Sequence, residues 1–105
     1  MKPIMQPMTR LDQTTFAAAL DGSAVPPHLR GGLLRYFVAG ILPGSFLQAV
    51  LCNDLVKAVR RHSGAGAAYT ITVLRKFLLE HAPFEAWGSR EKVLAWTTTP
   101  DRLEV

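Results

Sequence analysis

The stretch Gly40-Ile41-Leu42-Pro43-Gly44-Ser45-Phe46-Leu47-Gln48-Ala49-Val50-Leu51-Cys52-Asn53-Asp54-Leu55 constrains the fold more than any other part of the chain. It joins a tight turn at Pro43-Gly44 to a helix start, and the helix that follows carries apolar residues on nearly every side. Such a helix must lie in the middle of a fold or lend a face to a partner. Ser45 with Gln48 three residues on reads as a capping box, with the serine hydroxyl accepting an amide proton and the glutamine reaching back to the serine N–H. The helical period runs on to about Arg61 or His62. Leu47, Leu51, Leu55 and Ala58 fall on one stripe, which Cys52, Val56 and Val59 widen. Asn53, Asp54, Lys57, Arg60 and Arg61 take the opposite arc. Phe46 and Val50 sit inside that polar arc. Either the preceding helix folds back over them or they form part of an exposed binding patch; the short turn favours the first arrangement by forcing the helices together.

Helical signals continue on both sides. Leu11 to Leu20 predicts a short helix with Leu11, Phe16, Ala19 and Leu20 inward, capped by Asp12 or Thr9 and stopped at Asp21-Gly22-Ser23. Pro26-Pro27 suits a first helical turn, where a missing N–H costs nothing. A helix over about Pro27–Ala39 follows, with Leu29, Leu33, Tyr36 and Phe37 on one side, and Gly40 ends it in a left-handed cap. Gly31-Gly32 weakens it by about 1 kcal/mol each relative to alanine, and either admits a neighbouring helix or only softens the first turn. After the linker Ser63-Gly64-Ala65-Gly66, the segment Ala67 to His81 keeps a 3.6-residue period with Ala67, Ile71, Leu74, Phe77, Leu78 and His81 on one face. Pro83 ends it. Ser89 caps a last short helix whose Val93, Leu94 and Trp96 close the core. These elements predict an all-α fold, a compact bundle of about four short helices. A flexible tail at 1–10 precedes a single domain at 11–97, and a C-terminal tail follows at 98–105.

Composition narrows the function classes. The 105 residues suffice for one modest core, and 49% hydrophobic with 19% charged residues is the balance of a folded domain. A single cysteine, Cys52, excludes an internal disulfide and a Cys-rich zinc site. No export signal and no apolar run near the roughly 20 residues of a membrane span is read, so a cytoplasmic protein is expected. The net charge of +4 is uneven. Between His28 and Lys76, Arg30, Arg35, Lys57, Arg60, Arg61, Arg75 and Lys76 stand against Asp54 alone, seven minus one giving +6. A basic centre suits an acidic partner, nucleic acid or protein.

Catalysis finds little support. His28, His62 and His81 lie far apart with no metal-ligand spacing. Cys52 falls on the apolar stripe, where a free thiol behaves as a small hydrophobe. Asn53-Asp54 lacks a second carboxyl group for acid–base work, and an i,i+3 contact of Asp54 with Lys57 explains it. Phosphate gripping by Lys57, Arg60, Arg61, Arg75 and Lys76 is conceivable. Sequence reading is not, because Phe46-Leu47-Gln48-Ala49-Val50 is too apolar for the start of a recognition helix.

Arg35-Tyr36, the Gly40-to-Leu47 run, Ala49-Val50-Leu51, Asn53-Asp54-Leu55, and Trp87-Gly88-Ser89 with Val93 and Trp96 together resemble a family of small proteins found in bacteriophages and prophages. The resemblance covers roughly residues 30–96 and carries no established activity, so it transfers no catalytic residue. It implies a phage accessory protein of a kind that often binds and redirects or blocks host machinery, including antiviral defence. The expected function is therefore non-enzymatic: binding and modulation of a host or phage protein with an acidic surface, in the host cytoplasm. Phe46, Val50, Asn53, Asp54, Lys57, Arg60 and Arg61 are the expected contact residues. The alternative is a nucleic-acid-binding accessory protein using the central basic patch, with Arg75 and Lys76 as phosphate contacts. No cofactor, metal or membrane is expected, and the over-apolar helix could also pair with its own copy as a homodimer.

Overall fold

The computed structural model describes residues 12–62 and 64–98. The expected tail at 1–10 lies outside them, as do Thr9, Leu11 and most of the C-terminal segment. Among the described residues six α-helices follow one another: α1 (Gln13–Asp21), α2 (Pro27–Ala39), α3 (Ser45–Leu51), α4 (Leu55–Arg61), α5 (Ala67–His81) and α6 (Arg90–Thr98), with a 3-10 turn at Phe84–Ala86 before α6. No strand occurs among the described residues. The all-α class stands, but about four helices becomes six.

Asp12 caps α1, its carboxylate accepting from the Thr15 N–H at 2.8 Å. Gly40 ends α2 at φ 74°, a left-handed conformation that costs glycine little. Gly32 has a packing role: a Cβ there would stand 2.9 Å from Leu47 Cδ1, so its bare Cα lets α3 approach α2. Gly31 faces the Arg35 side chain instead.

An aromatic cluster forms the centre of the core. The ring of Phe16 lies 5.3 Å from Phe37 and 5.6 Å from Phe77, while Trp96 lies 6.5 Å from Tyr36 and 6.4 Å from Phe37. These separations are those of attractive tilted and edge-to-face pairs. Two polar contacts tie the C-terminal part onto α2. The Tyr36 hydroxyl donates to the Ala86 carbonyl at 2.5 Å, and the Trp96 indole N–H donates to the Tyr36 carbonyl at 2.8 Å. Leu94, expected in this core, is exposed at 43%.

The largest departure from the sequence expectation lies between Leu51 and Leu55. The single helix expected from Ser45 to about Arg61 is two helices. Asn53 stands at φ 62°, its N–H donates to the Val50 carbonyl at 3.0 Å, and the Asp54 N–H reaches the Ala49 carbonyl at 2.8 Å. That pair of bonds is a Schellman stop, and asparagine is the residue after glycine that best tolerates the left-handed position. Asp54 then starts α4, its carboxylate accepting from the Lys57 N–H at 3.1 Å. The expected contact of Asp54 with Lys57 is thus a backbone N-cap, not a side-chain ion pair. The expected Ser45–Gln48 box is also absent: Gly44 occupies the N-cap with no side-chain bond, and Gln48 Nε2 donates to the Pro43 carbonyl at 2.8 Å.

The left-handed position predicts a sharp residue preference. Asn53→Val is expected to lower the unfolding free energy by about 1–3 kcal/mol, since a β-branched residue is strained there. Asn53→Gly should stay within about 1 kcal/mol of the parent, because glycine accepts the same φ. Urea unfolding of the two variants side by side checks this, and equal losses would exclude backbone strain as the cause.

Candidate functional site

The break at Asn53 decides what α4 presents. Ala58 alone of its residues is buried, at 1% exposure, while Leu55, Val56 and Val59 are 55%, 70% and 50% exposed. The expected inward stripe of Leu55, Val56 and Val59 is therefore corrected. The stop reorients the helix, and those three residues turn outward.

At about 100° per residue, the surface of this short helix resolves into three neighbouring pairs spaced i,i+4. Leu55 and Val59 form one flank, and the shallow depression beside it includes Ile71 and Arg75 of α5. Val56 and Arg60 form the ridge, opposite Ala58. Lys57 and Arg61 form the other flank and face a deeper groove between α3, α4 and the first turn of α6.

That groove has a volume of about 300 Å³ and is lined by Ser45, Cys52, Asp54, Lys57, Arg61 and Arg90, among others. Arg90 arrives there because the Gly88 N–H donates to the Leu51 carbonyl at 2.7 Å, fastening the start of α6 to the end of α3. Ser89 caps this helix through the Lys92 N–H at 3.2 Å. The side chains of Lys57, Arg61 and Arg90 make no ion pair with a described residue. Burial pushes the Cys52 thiol above its ordinary range; Arg90 pulls it back, Asp54 adds to the rise, and Lys57 again opposes it. The thiol is therefore protonated at neutral pH and is a poor nucleophile.

The other expected contact residues separate. Val50 is only 4% exposed and belongs to the core, so it cannot touch a partner. Phe46 is half-buried, packed on the core with its ring 5.1 Å from that of His62. Val50 is thus covered and Phe46 largely so, but the neighbours seen beside them come later in the chain: Val50 borders the same depression as Ala58 and Ile71, and Phe46 meets His62. Asn53 accepts from Arg75 Nη1 at 2.8 Å, and Asp54 is occupied as a cap. Lys76 pairs with Glu80 at 3.0 Å on a different part of α5. Arg30 is likewise engaged, by the Val25 carbonyl at 2.9 Å and Asp21 at 3.8 Å. The basic centre is not a continuous track of unpaired cations.

Sequence reasoning missed Arg90, which lies outside the basic span and reaches the groove only through the tether to Leu51. No three His, Cys, Asp or Glu side chains converge as a metal site among the described residues. No helix among them is long and apolar enough to cross a membrane. No protein-family model, curated protein or solved structure matches the chain.

Proposed function

We propose that the chain is a non-enzymatic helical binding module that docks an acidic protein surface on the face of α4. One observation carries this reading: α4 exposes Leu55, Val56 and Val59 beside Lys57, Arg60 and Arg61 while burying only Ala58. Exposed leucine and valine occur singly on ordinary surfaces, but three within five residues of one helix make a patch. An apolar centre with a charged rim is the composition of a protein interface, and the cations select an acidic partner and speed its approach. The setting we infer, from the resemblance of residues 30–96 to small phage proteins, is an accessory protein that modulates a host or phage protein in the host cytoplasm.

The nucleic-acid alternative has less support. Of the cations in the basic centre, Arg30, Arg75 and Lys76 are held by neighbours within the chain. Those that remain on α4 share their surface with three exposed aliphatic side chains, a poor lining for a phosphate backbone.

A photo-crosslinking residue at Val56, exposed to bacterial lysate with and without nuclease, tests the reading. A defined protein adduct that survives nuclease supports it, and capture that disappears with nuclease transfers the function to the alternative.

A further inference from the structure

The groove between α3, α4 and α6 has a chemistry distinct from the apolar flank of the same helix. We propose that it is an oxyanion site for a phosphate-class dianion, the terminal phosphoryl group of a small ligand, held by Lys57, Arg61 and Arg90. This goes beyond the docking of a protein on α4 and does not depend on it.

Three observations carry the assignment. The first is convergence: a lysine and an arginine one turn apart on α4, and an arginine from α6, line one concavity of about 300 Å³. Cations scattered on a convex surface cannot enclose a ligand, whereas these come from two elements that the Gly88–Leu51 hydrogen bond fastens across α3.

The second is charge. Among the described residues of the lining the three cations face Asp54 as the one carboxylate, so three minus one leaves a local +2. Asp54 Oδ1 already accepts from the Lys57 backbone N–H, which holds that carboxylate at the helix start. A dianion matches this balance, and a single carboxylate leaves it half neutralised. Guanidinium forks also suit the tetrahedral oxygens of a phosphoryl group, which can take paired N–H donors from each arginine.

The third is the condition of the donors. None of the three cationic side chains is tied to a described residue, and the Ser45 hydroxyl on the same wall has no described partner. Elsewhere in the basic centre Arg30, Arg75 and Lys76 are engaged by neighbours, while Arg35 and Arg60 stand outside the groove. A free phosphate, pyrophosphate or phosphomonoester could supply this chemistry, and the arms of the experiment separate them.

Cys52 lines the groove and is the one cysteine of the chain, so its alkylation rate reports occupancy directly. A bound dianion blocks access to the sulfur and cancels the field of Arg90 and Lys57, and both effects slow alkylation. The full chain is treated with a neutral maleimide in phosphate, pyrophosphate, a phosphomonoester, succinate or chloride at matched ionic strength, and with a single-stranded oligonucleotide lacking terminal phosphates. Saturating pyrophosphate or phosphomonoester is expected to slow alkylation about tenfold or more, with chloride near baseline and protection by succinate, whose two charges sit on separate carboxylates, well below that of the phosphoryl arms. Arg90→Gln should remove most of that protection. Because Arg90 lies off the exposed ridge of α4, this variant should still give the Val56 protein adduct, so the site and the docking face fail separately. Equal rates in all salts, protection unchanged in Arg90→Gln, or protection by the oligonucleotide alone would each overturn the proposal. Should Arg90→Gln disturb the fold by circular dichroism, Arg90→Lys takes its place and is expected to retain partial protection.

Discussion

Replacing Trp96 by alanine is expected to lower the unfolding free energy by about 3–5 kcal/mol, the usual range for deleting a buried aromatic. A domain of this size has only about 5–15 kcal/mol in total, so the variant should melt far earlier than the parent or fail to fold. Trp96 is 4% exposed and packs against both Tyr36 and Phe37, so little nearby can collapse into the space it leaves. Its indole N–H shares the Tyr36 carbonyl with the Gly40 N–H, which donates at 2.9 Å. That carbonyl therefore keeps one partner after the substitution, and the lost volume dominates the cost. Trp96→Phe restores most of the volume without the N–H donor and should recover all but about 1–2 kcal/mol. Urea denaturation followed by circular dichroism measures both, and similar losses in the two variants would place the hydrogen bond above the packing.

The face of α4 should behave in the opposite way, with little cost to the fold and a large cost to binding. Val56→Asp with Arg60→Glu alters the two outermost positions of the helix. Stability is expected to stay within about 1 kcal/mol, as for ordinary surface changes. Affinity for an acidic partner should fall by about 100-fold or more, since the pair removes an apolar contact and sets like charges against each other. Leu79→Asp is the control: Leu79 is 59% exposed on α5, lines neither of the depressions that α4 borders, and should leave capture unchanged. Quantitative binding to the protein identified by crosslinking at Val56 decides the matter. Loss of capture in Leu79→Asp alone would move the interface to α5.

Elements whose period and stop signals agree were legible in the sequence. Helix α2 runs from Pro27 to a left-handed Gly40, and α5 keeps its apolar face from Ile71 to Leu78. Hydrophobic period does not mark the break after Leu51, because a continuous helical period passes through Asn53-Asp54 and puts both on the polar arc. Asparagine and aspartate are poor in helix interiors because their side chains compete for local backbone groups, and here one ends a helix and the other begins the next. Without that break Leu55, Val56 and Val59 fall on the core stripe, and with it they face solvent. The α4 cations were legible as a cluster, whereas Arg90 was not. Its place depends on a contact between residues far apart in the chain, which local pattern does not encode.

Simultaneous replacement of Leu55, Val56 and Val59 by glutamine bears most directly on the role given to α4. If Asn53 turns these residues to solvent, urea unfolding of the triple variant should match the parent within about 1 kcal/mol, with an unchanged slope. A loss of about 4 kcal/mol or more would mean that they are packed in the core and that α4 displays no apolar face.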